Sequence, residues 1–369
     1  MDVKILKNIL PEDDGENLIK KRVIEHCVTE AFNYFRLTQE YKRYYRGTVF
    51  YDKGIIPGYP RIPRILHLEN GVKRYFKTPF YVEEKMDGYN VRVALIENKL
   101  VAFTRGGFIC PFTTDRIDDL VDPEFFRKYP GYVICGEVVG PGNPYNIEST
   151  SYVSEDVAFF VFDIFSERGI KLPPEERYSL VKEFSLKEVK RWGPFVADNI
   201  NEIKEIVLEL NSLNREGIVI KSIEGDIAVK YVTLSSCLRD LEATTYLITE
   251  LPAGFYIQRI LRAIFFSHEF GIPLDDTYLL KAAKALYLNP LNSLLSIREG
   301  DEIKEVFTVR VKVQDTVPKL LKTLSRAGIK TRLLEMEKEN GYYRVKFAKI
   351  YTRGSKELRQ RLKGKSFFD

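Results

Sequence analysis

Between residues 80 and 233 the sequence keeps returning to short runs of β-branched and aromatic residues, at 80–84, 90–96, 101–104, 132–139, 157–165, 217–221 and 227–233. Runs of this length, some alternating and some continuous, are too short for helices and must pair with one another. One amphipathic helix is predicted among them, over 202–213, with Ile203, Ile206, Val207 and Leu210 on a single face that has to cover a sheet. Strands interrupted by helices in this way point to an α+β domain with a largely antiparallel sheet.

The flanking segments read differently. Residues 16–34 have helix-like spacing, and 41–63 form an aromatic, basic run broken by Pro57, Pro60 and Pro63, which reads as an irregular connection. Residues 238–297 read as short helices punctuated by Pro252, Pro273 and Pro290, a piece that cannot bury much alone and must dock on its own chain or on a second copy. The last seventy residues read as strand, helix, strand, strand, over 306–313, 317–329, 331–337 and 342–350.

Charge separates these parts further. The chain of 369 residues carries +5 overall, but the stretch 300–369 holds 18 Lys plus Arg against 9 Asp plus Glu, and the rest is slightly acidic. A basic C-terminal module suits a polyanion, because each cation set on a phosphate releases condensed counterions. Cys27, Cys110, Cys135 and Cys237 are spaced neither as a disulfide framework nor as zinc ligands, so reduced thiols are expected. His26, His67 and His268 are equally scattered and read as structural. Few Cys, Met, His and Gln against abundant Lys, Glu, Arg and Ile is the bias of proteins from hot environments. No uncharged run approaches the length of a membrane span, and no apolar segment follows a basic start at the N-terminus, so a cytoplasmic protein is expected.

Chemistry is concentrated in charged residues embedded in the strand-rich part. Lys85 ends a strand and is followed by Met86-Asp87-Gly88-Tyr89-Asn90, a lysine beside a tight turn. An ordinary lysine is neutral in only about 1 in 2,500 copies at pH 7, a cost of about 4.6 kcal/mol, so a nucleophilic role requires a site that lowers its pKa. Arg105 precedes Gly106-Gly107, where backbone can approach a phosphate closely. Glu137 lies inside an apolar strand and needs a partner such as a metal, a ribose hydroxyl or an arginine. In 159–165, alternation sets Phe160 and Phe162 on one face and Asp163 on the other; core packing is the plain reading of these rings, stacking on a nucleobase the sharper one. Arg215-Glu216-Gly217 opens an apolar strand that carries Lys221, and Lys230 follows in the next strand; both lysines need anionic partners, and a triphosphate serves both. Each residue alone has a structural explanation as a solvated turn or a salt bridge. Their succession does not.

In that order the segments resemble motifs I, Ia, III, IIIa, IV and V of the covalent nucleotidyltransferase superfamily, which includes DNA ligases, RNA ligases and mRNA capping enzymes. The whole layout is similar to the archaeal ATP-dependent RNA ligases that circularise RNA and form homodimers. The resemblance implies an antiparallel-sheet nucleotidyltransferase (ATP-grasp-like ligase) core at 65–237, with an N-terminal module at 1–64, a helical dimerisation domain at 238–298 and a small basic βαββ C-terminal domain at 299–369. It implies that Lys85 attacks the α-phosphorus of ATP and becomes a lysyl-AMP, that AMP passes to the 5′-phosphate of single-stranded RNA, and that a 3′-OH displaces it. Asp87 then orients the lysine or a metal-bound water, Asn90 and Arg105 meet ribose and phosphate, Glu137 the ribose or a divalent ion, Phe162 the adenine face, Glu216 the metal, Mg²⁺ or Mn²⁺, and Lys221 and Lys230 the α-phosphate. Glu83 or Glu84 reads the adenine 6-amino group. Asn90 stands where DNA ligases commonly have Arg, and Ala228 where their Lys-x-Lys motif begins, which leaves only Lys230 to transfer. The alternatives are a GTP-dependent RNA capping enzyme, for which the C-terminal Arg-x-Asp-Lys is missing, an ATP-dependent DNA ligase, and a silent RNA-binding protein of the same fold.

Overall fold

The fold is that of a computed structural model, described for all residues except 1–4, 7–9, 11–14, 30–31, 146–152, 155, 274, 327 and 367–369. The chain forms two compact units, each drawn from separate stretches of sequence. The first takes Met1–Ile62, Gly88–Val138 and Ala158–Glu188; the second takes Pro63–Asp87, Val139–Val157 and Val189–Asp369. Every strand pairing with a defined register is antiparallel.

The first unit opens with β1 (Ile24–Val28), β2 (Asn33–Leu37), β3 (Val49–Tyr51) and β4 (Gly54–Ile56), a sheet in that order. This corrects the helix expected over 16–34, of which only Gly15–Lys20 is helical. Arg22 takes a left-handed backbone, φ 56°, and the chain then runs as two strands whose register sets His26 opposite Phe35. Apolar residues here fit period two as well as the helical period, and a pairing partner decides between them. The 41–63 run likewise holds β3 and β4, while its prolines stay outside the strands.

At Pro63 the chain enters the second unit, forms the helix Leu68–Tyr75 and lays down β5 (Phe80–Lys85). It returns at Gly88 as β6 (Tyr89–Ile96) and β7 (Lys99–Thr104), joined through Glu97 and Asn98, both at positive φ as a tight hairpin demands. The helices Pro111–Leu120 and Glu124–Lys128, then β8 (Val133–Val139), β9 (Ala158–Phe165) and the helix Pro174–Glu183 follow, giving a second sheet ordered β7-β6-β8-β9. Pairs two residues apart face one core: Ala94 with Ile96, Val101 with Phe103, Val133 with Cys135. Tyr34, Val49 and Ile56 from the N-terminal sheet are buried in the same cluster.

The second unit continues with β10 (Arg191–Phe195), the helix Ile200–Ser212, β11 (Gly217–Ser222) and β12 (Ala228–Val232), in a sheet ordered β10-β5-β11-β12. Phe80, Val82, Ile218, Ile220, Val229 and Tyr231 pack from one face of this sheet against Ile203, Val207 and Leu210 of the helix, as its apolar stripe predicts. Each of those three helix residues contributes about 1.5–3 kcal/mol by leaving water.

Next come the helices Leu234–Thr244, Ala253–Phe270 and Asp276–Arg298. Pro252 caps the second, as a breaker should, but Pro290 lies inside the third and does not end it. Finally β13 (Lys304–Val311), the helix Thr316–Arg326, β14 (Lys330–Glu339) and β15 (Tyr342–Ile350) form a sheet ordered β13-β15-β14, followed by a helix not expected from sequence, Thr352–Leu362. That closing helix is strongly polar and is anchored by Leu358, which packs with Leu247, Ile297 and Ile303.

Candidate active site

Register in the second unit's sheet brings the predicted lysines onto one face. Lys85 pairs with Gly217, Glu83 with Val219, and Tyr81 with Lys221 across β5 and β11, while Val219 pairs with Lys230 across β11 and β12. Residues directly opposite share a face, so Glu83, Lys85, Lys221 and Lys230 project together, away from the apolar core on the other side. Glu84 alternates to the other face and lies 3.8 Å from Arg215. The two glutamates left open by the sequence therefore occupy different environments.

Lys85 ends β5, and its Nζ lies 2.6 Å from Oε2 of Glu216, the residue just ahead of β11. The approach depends on Gly217, the register partner of Lys85. Its φ is +146°, and a Cβ there would meet the Tyr231 carbonyl oxygen at 2.2 Å. Burial pushes the Glu216 carboxyl above the usual carboxylate range, the Lys85 ammonium opposes that, and the charges of Asp87 and Asp240 add to it. Asp87, just past the strand, accepts from Arg239 Nη2 at 2.8 Å, and Arg239 comes from the helix Leu234–Thr244. Asp240, next on that helix, accepts from Arg259 Nε at 2.7 Å, and burial raises its carboxyl pKa too. Glu83 and Lys221 form an ion pair at 2.8 Å, each 1% exposed. Lys230 is half-buried, and its backbone bridges to Arg64.

The remaining predicted residues belong to the first unit. Asn90 on β6 stands opposite Glu137 on β8, and its Oδ1 is buried without a hydrogen-bond partner. Arg105 follows β7 and donates to the Pro60 carbonyl at 3.2 Å. Its turn is held by two further arginines. Arg36 donates to Gly106 O at 2.9 Å and lies 3.7 Å over the Phe108 ring; Arg92, fully buried, donates to Thr104 O at 2.7 Å, Gly47 O at 3.0 Å and Pro57 O. Burial lowers the Arg92 guanidinium to about 10. Phe162 is half-buried on the face opposite Asp163, as alternation predicts, and meets the Tyr59 ring edge-on at 5.2 Å. Asp163 is buried, accepts from Tyr59 OH and lies 3.7 Å from Arg177. Arg36, Tyr59, Arg92, Arg177, Arg239 and Asp240 were not singled out from sequence. Arg92 carried the signal that marked Glu137, a charge inside an apolar strand.

Metal ligands were expected at Glu137 and Glu216, which fall in different units. Among the described residues no group of three or more His, Cys, Asp or Glu side chains can hold a metal ion. One or two carboxylates nevertheless suffice for a hard cation that arrives on phosphate oxygens, and half-buried Glu216, with the charges of Asp87 and Asp240 acting on it, fits that donor type. The four cysteines are free, as expected. Among the described residues no helix is long and apolar enough to cross a membrane.

A family model described as RNA ligase matches residues 78–232, and one described as ligase Pab1020 C-terminal region matches 243–365. A solved structure described as a putative ATP-dependent DNA ligase from Aquifex aeolicus is 34% identical, with a TM-score of 0.91 over 96% of this chain and 99% of that one. A structure of an archaeal ATP-dependent RNA ligase is 27% identical, with a TM-score of 0.91 and all of both chains covered. An uncharacterized protein of Methanocaldococcus jannaschii is 28% identical over 343 residues, 88% of this chain and 86% of that protein.

Proposed function

Because this chain belongs to the ATP-dependent RNA ligase family, we propose that it joins RNA ends at the expense of ATP, in three steps that begin on Lys85. In the first, the Lys85 amine attacks the α-phosphorus. An N–P bond forms, the P–O bond to pyrophosphate breaks, and the amine loses a proton. In the second, a 5′-phosphate oxygen of RNA attacks the same phosphorus and frees the lysine. In the third, a 3′-hydroxyl attacks the 5′-phosphorus and AMP departs.

The observation that carries this reading is the Lys85–Glu216 pair. An amine must shed its proton before it attacks, and a carboxylate whose pKa burial has raised is a better acceptor than an exposed one. From the sequence, nearby cations were expected to do this work. In the free protein the lysine's partner is a carboxylate, so proton transfer to Glu216 starts the chemistry. Mg²⁺ or Mn²⁺, held with the nucleotide's phosphates by Glu216, would neutralise charge developing on phosphorus, and Glu137 keeps the ribose or metal role expected from sequence. Asp87, fixed by Arg239, orients the turn that carries Lys85. Lys230 meets the α-phosphate together with Lys221, and Glu83, on the lysine's own face, reads adenine in preference to Glu84. Asn90, Arg105 and Phe162 keep the ribose, phosphate and base roles that the family resemblance implies; the unpaired Asn90 oxygen supports a ribose hydroxyl as its partner.

The finer reading is a homodimer that circularises single-stranded RNA. Its dimer contact at 238–298 is supported by exposed Ile257, Ile264, Phe265, Leu279, Leu280 and Tyr287 on two helices, and the basic 299–369 module holds RNA. A monomeric mass by light scattering would refute the dimer.

The test is transfer of label from α-labelled ATP to protein, with GTP in parallel, followed by 5′-phosphorylated single-stranded RNA. Label on wild type from ATP but none on Lys85→Ala, together with exonuclease-resistant circles, is expected. RNA binding with no adduct would identify a silent binder. The name of the Aquifex relative favours a second reading, DNA joining, and sealing of nicked duplex DNA with no RNA product would establish it.

A further inference from the structure

Among the described residues, the ion pairs around Lys85 leave two arginines over. Asp87 is taken by Arg239 and Asp240 by Arg259, while Glu216 is taken by Lys85 itself. Two more arginines lie in the same electrostatic neighbourhood. Arg64, half-buried just ahead of β5, has its backbone bridged to Lys230 and interacts with Glu216, Asp240 and Arg259. Arg262, one turn beyond Arg259 on the helix Ala253–Phe270, interacts with Arg64, Arg259 and Asp240. Among the described residues neither Arg64 nor Arg262 forms an ion pair, and Arg262 Nε is buried without a hydrogen-bond partner. Arg64 and Arg262 thus stand outside the ion pairs Lys85–Glu216, Arg239–Asp87 and Arg259–Asp240.

We propose that Arg64 and Arg262 form a phosphate-binding subsite beside Lys85, for a phosphate other than the α-phosphate of the nucleotide. The proposal rests on the ligase reading. Burial weakens the hold of both guanidinium groups on their protons, and the charge of Arg259 adds to this at each, that of Arg64 also at Arg262, while Asp240 opposes it; a ligand with at least two negative charges relieves that repulsion. Arginine forks match phosphate oxygens two at a time, which a lone carboxylate ligand would not exploit at both groups. Two substrate phosphates have this chemistry: the pyrophosphate end of the triphosphate and the 5′-phosphate of RNA. The pyrophosphate end is otherwise without an assigned arginine, because the C-terminal part of the sequence has no Arg-x-Asp-Lys. As the P–O bond breaks in the first step, its electron pair goes to the departing pyrophosphate oxygen, and these two guanidinium groups would meet that charge.

The test uses equilibrium binding, independent of turnover, on wild type, Arg64→Ala/Arg262→Ala and Arg262→Lys. The probes are inorganic pyrophosphate and RNA of one sequence carrying either a 5′-phosphate or a 5′-hydroxyl. The double variant should bind at least one phosphate probe roughly tenfold to a hundredfold more weakly, the range for losing charge-assisted hydrogen bonds, and bind 5′-hydroxyl RNA as wild type does. Arg262→Lys, which keeps the charge but not the fork, should lose less. Weakening toward pyrophosphate alone assigns the subsite to the triphosphate tail, and lost preference for the 5′-phosphate alone assigns it to the RNA end. No weakening, or equal weakening toward 5′-hydroxyl RNA, overturns the subsite. If wild type takes no label from ATP the ligase reading fails, and the pyrophosphate comparison still decides this one.

Discussion

Lys221 and Glu83 were both expected to touch the nucleotide, yet each is 1% exposed and they face one another at 2.8 Å. At an effective dielectric of 20 their gross attraction is about 6 kcal/mol, opposed by several kcal/mol of lost hydration on each ion. The pair is therefore close to neutral as a whole and expensive to break in half. Lys221→Met strands the Glu83 carboxylate in the interior and should destabilise the second unit by about 3–5 kcal/mol. Glu83→Gln combined with Lys221→Met should come back to within about 1 kcal/mol of wild type. Urea denaturation followed by circular dichroism at pH 7 reads both. Adenylylation separates structure from chemistry: with Lys221 on the α-phosphate, label transfer falls in the single and the double variant alike, while stability recovers only in the double. A loss below 1 kcal/mol in Lys221→Met, or a double variant as unstable as the single, would refute the buried-pair argument.

Gly217→Ala should cost more than about 2 kcal/mol, since its φ of +146° is strained for any side chain and the new Cβ meets a backbone carbonyl at 2.2 Å; a urea midpoint equal to wild type would contradict this. Lys349, 3% exposed and 3.0 Å from Tyr145 O, is lowered by burial from its ordinary value near 10.5 to about 8, with Glu305 opposing the shift. Below pH 8 both folded and unfolded chains hold that proton, and the folded one bears the cost of the buried charge. Between pH 8 and 10.5 only the unfolded chain still holds it, so stability should rise with pH by up to about 3 kcal/mol. Lys349→Met should flatten that rise, and an unchanged pH profile would show that the side chain is hydrated. Arg92→Lys should raise the KM for ATP more than it lowers kcat, because it loosens the turn of Arg105 without touching Lys85; an unchanged KM would separate that turn from nucleotide binding.

The strands that carry the site were legible because period-two patterning and embedded charge are local signals. Lys85, Glu216 and Lys230 could be singled out on those grounds before any pairing was known. What sets their geometry was not legible. Alternation along β5 puts Glu83, not Glu84, on the face of Lys85, but what Glu83 meets there, Lys221, depends on pairing with a strand far along the chain. The helices Pro111–Leu120 and Pro174–Glu183 begin on proline, a start signal that was open to reading, but their buried faces include Arg116 and Arg177, whose charge hid the stripe. The segment 16–34 failed for the opposite reason. Its apolar residues satisfied two periods at once, and the choice belonged to pairing with the next strand, β2, which begins at Asn33 and pairs on with β3.

The shared core of the first unit bears on how the protein is made. Tyr34, Val49 and Ile56 leave the ribosome early, but Val133, Cys135 and Phe165, which bury them, follow about a hundred residues later. During translation those early strands stay unfinished, with apolar surface uncovered, until synthesis has passed Glu188. Cutting the gene after codon 62 would leave both products with half a core, so the N-terminal module is no detachable appendage but the first instalment of a fold completed much later.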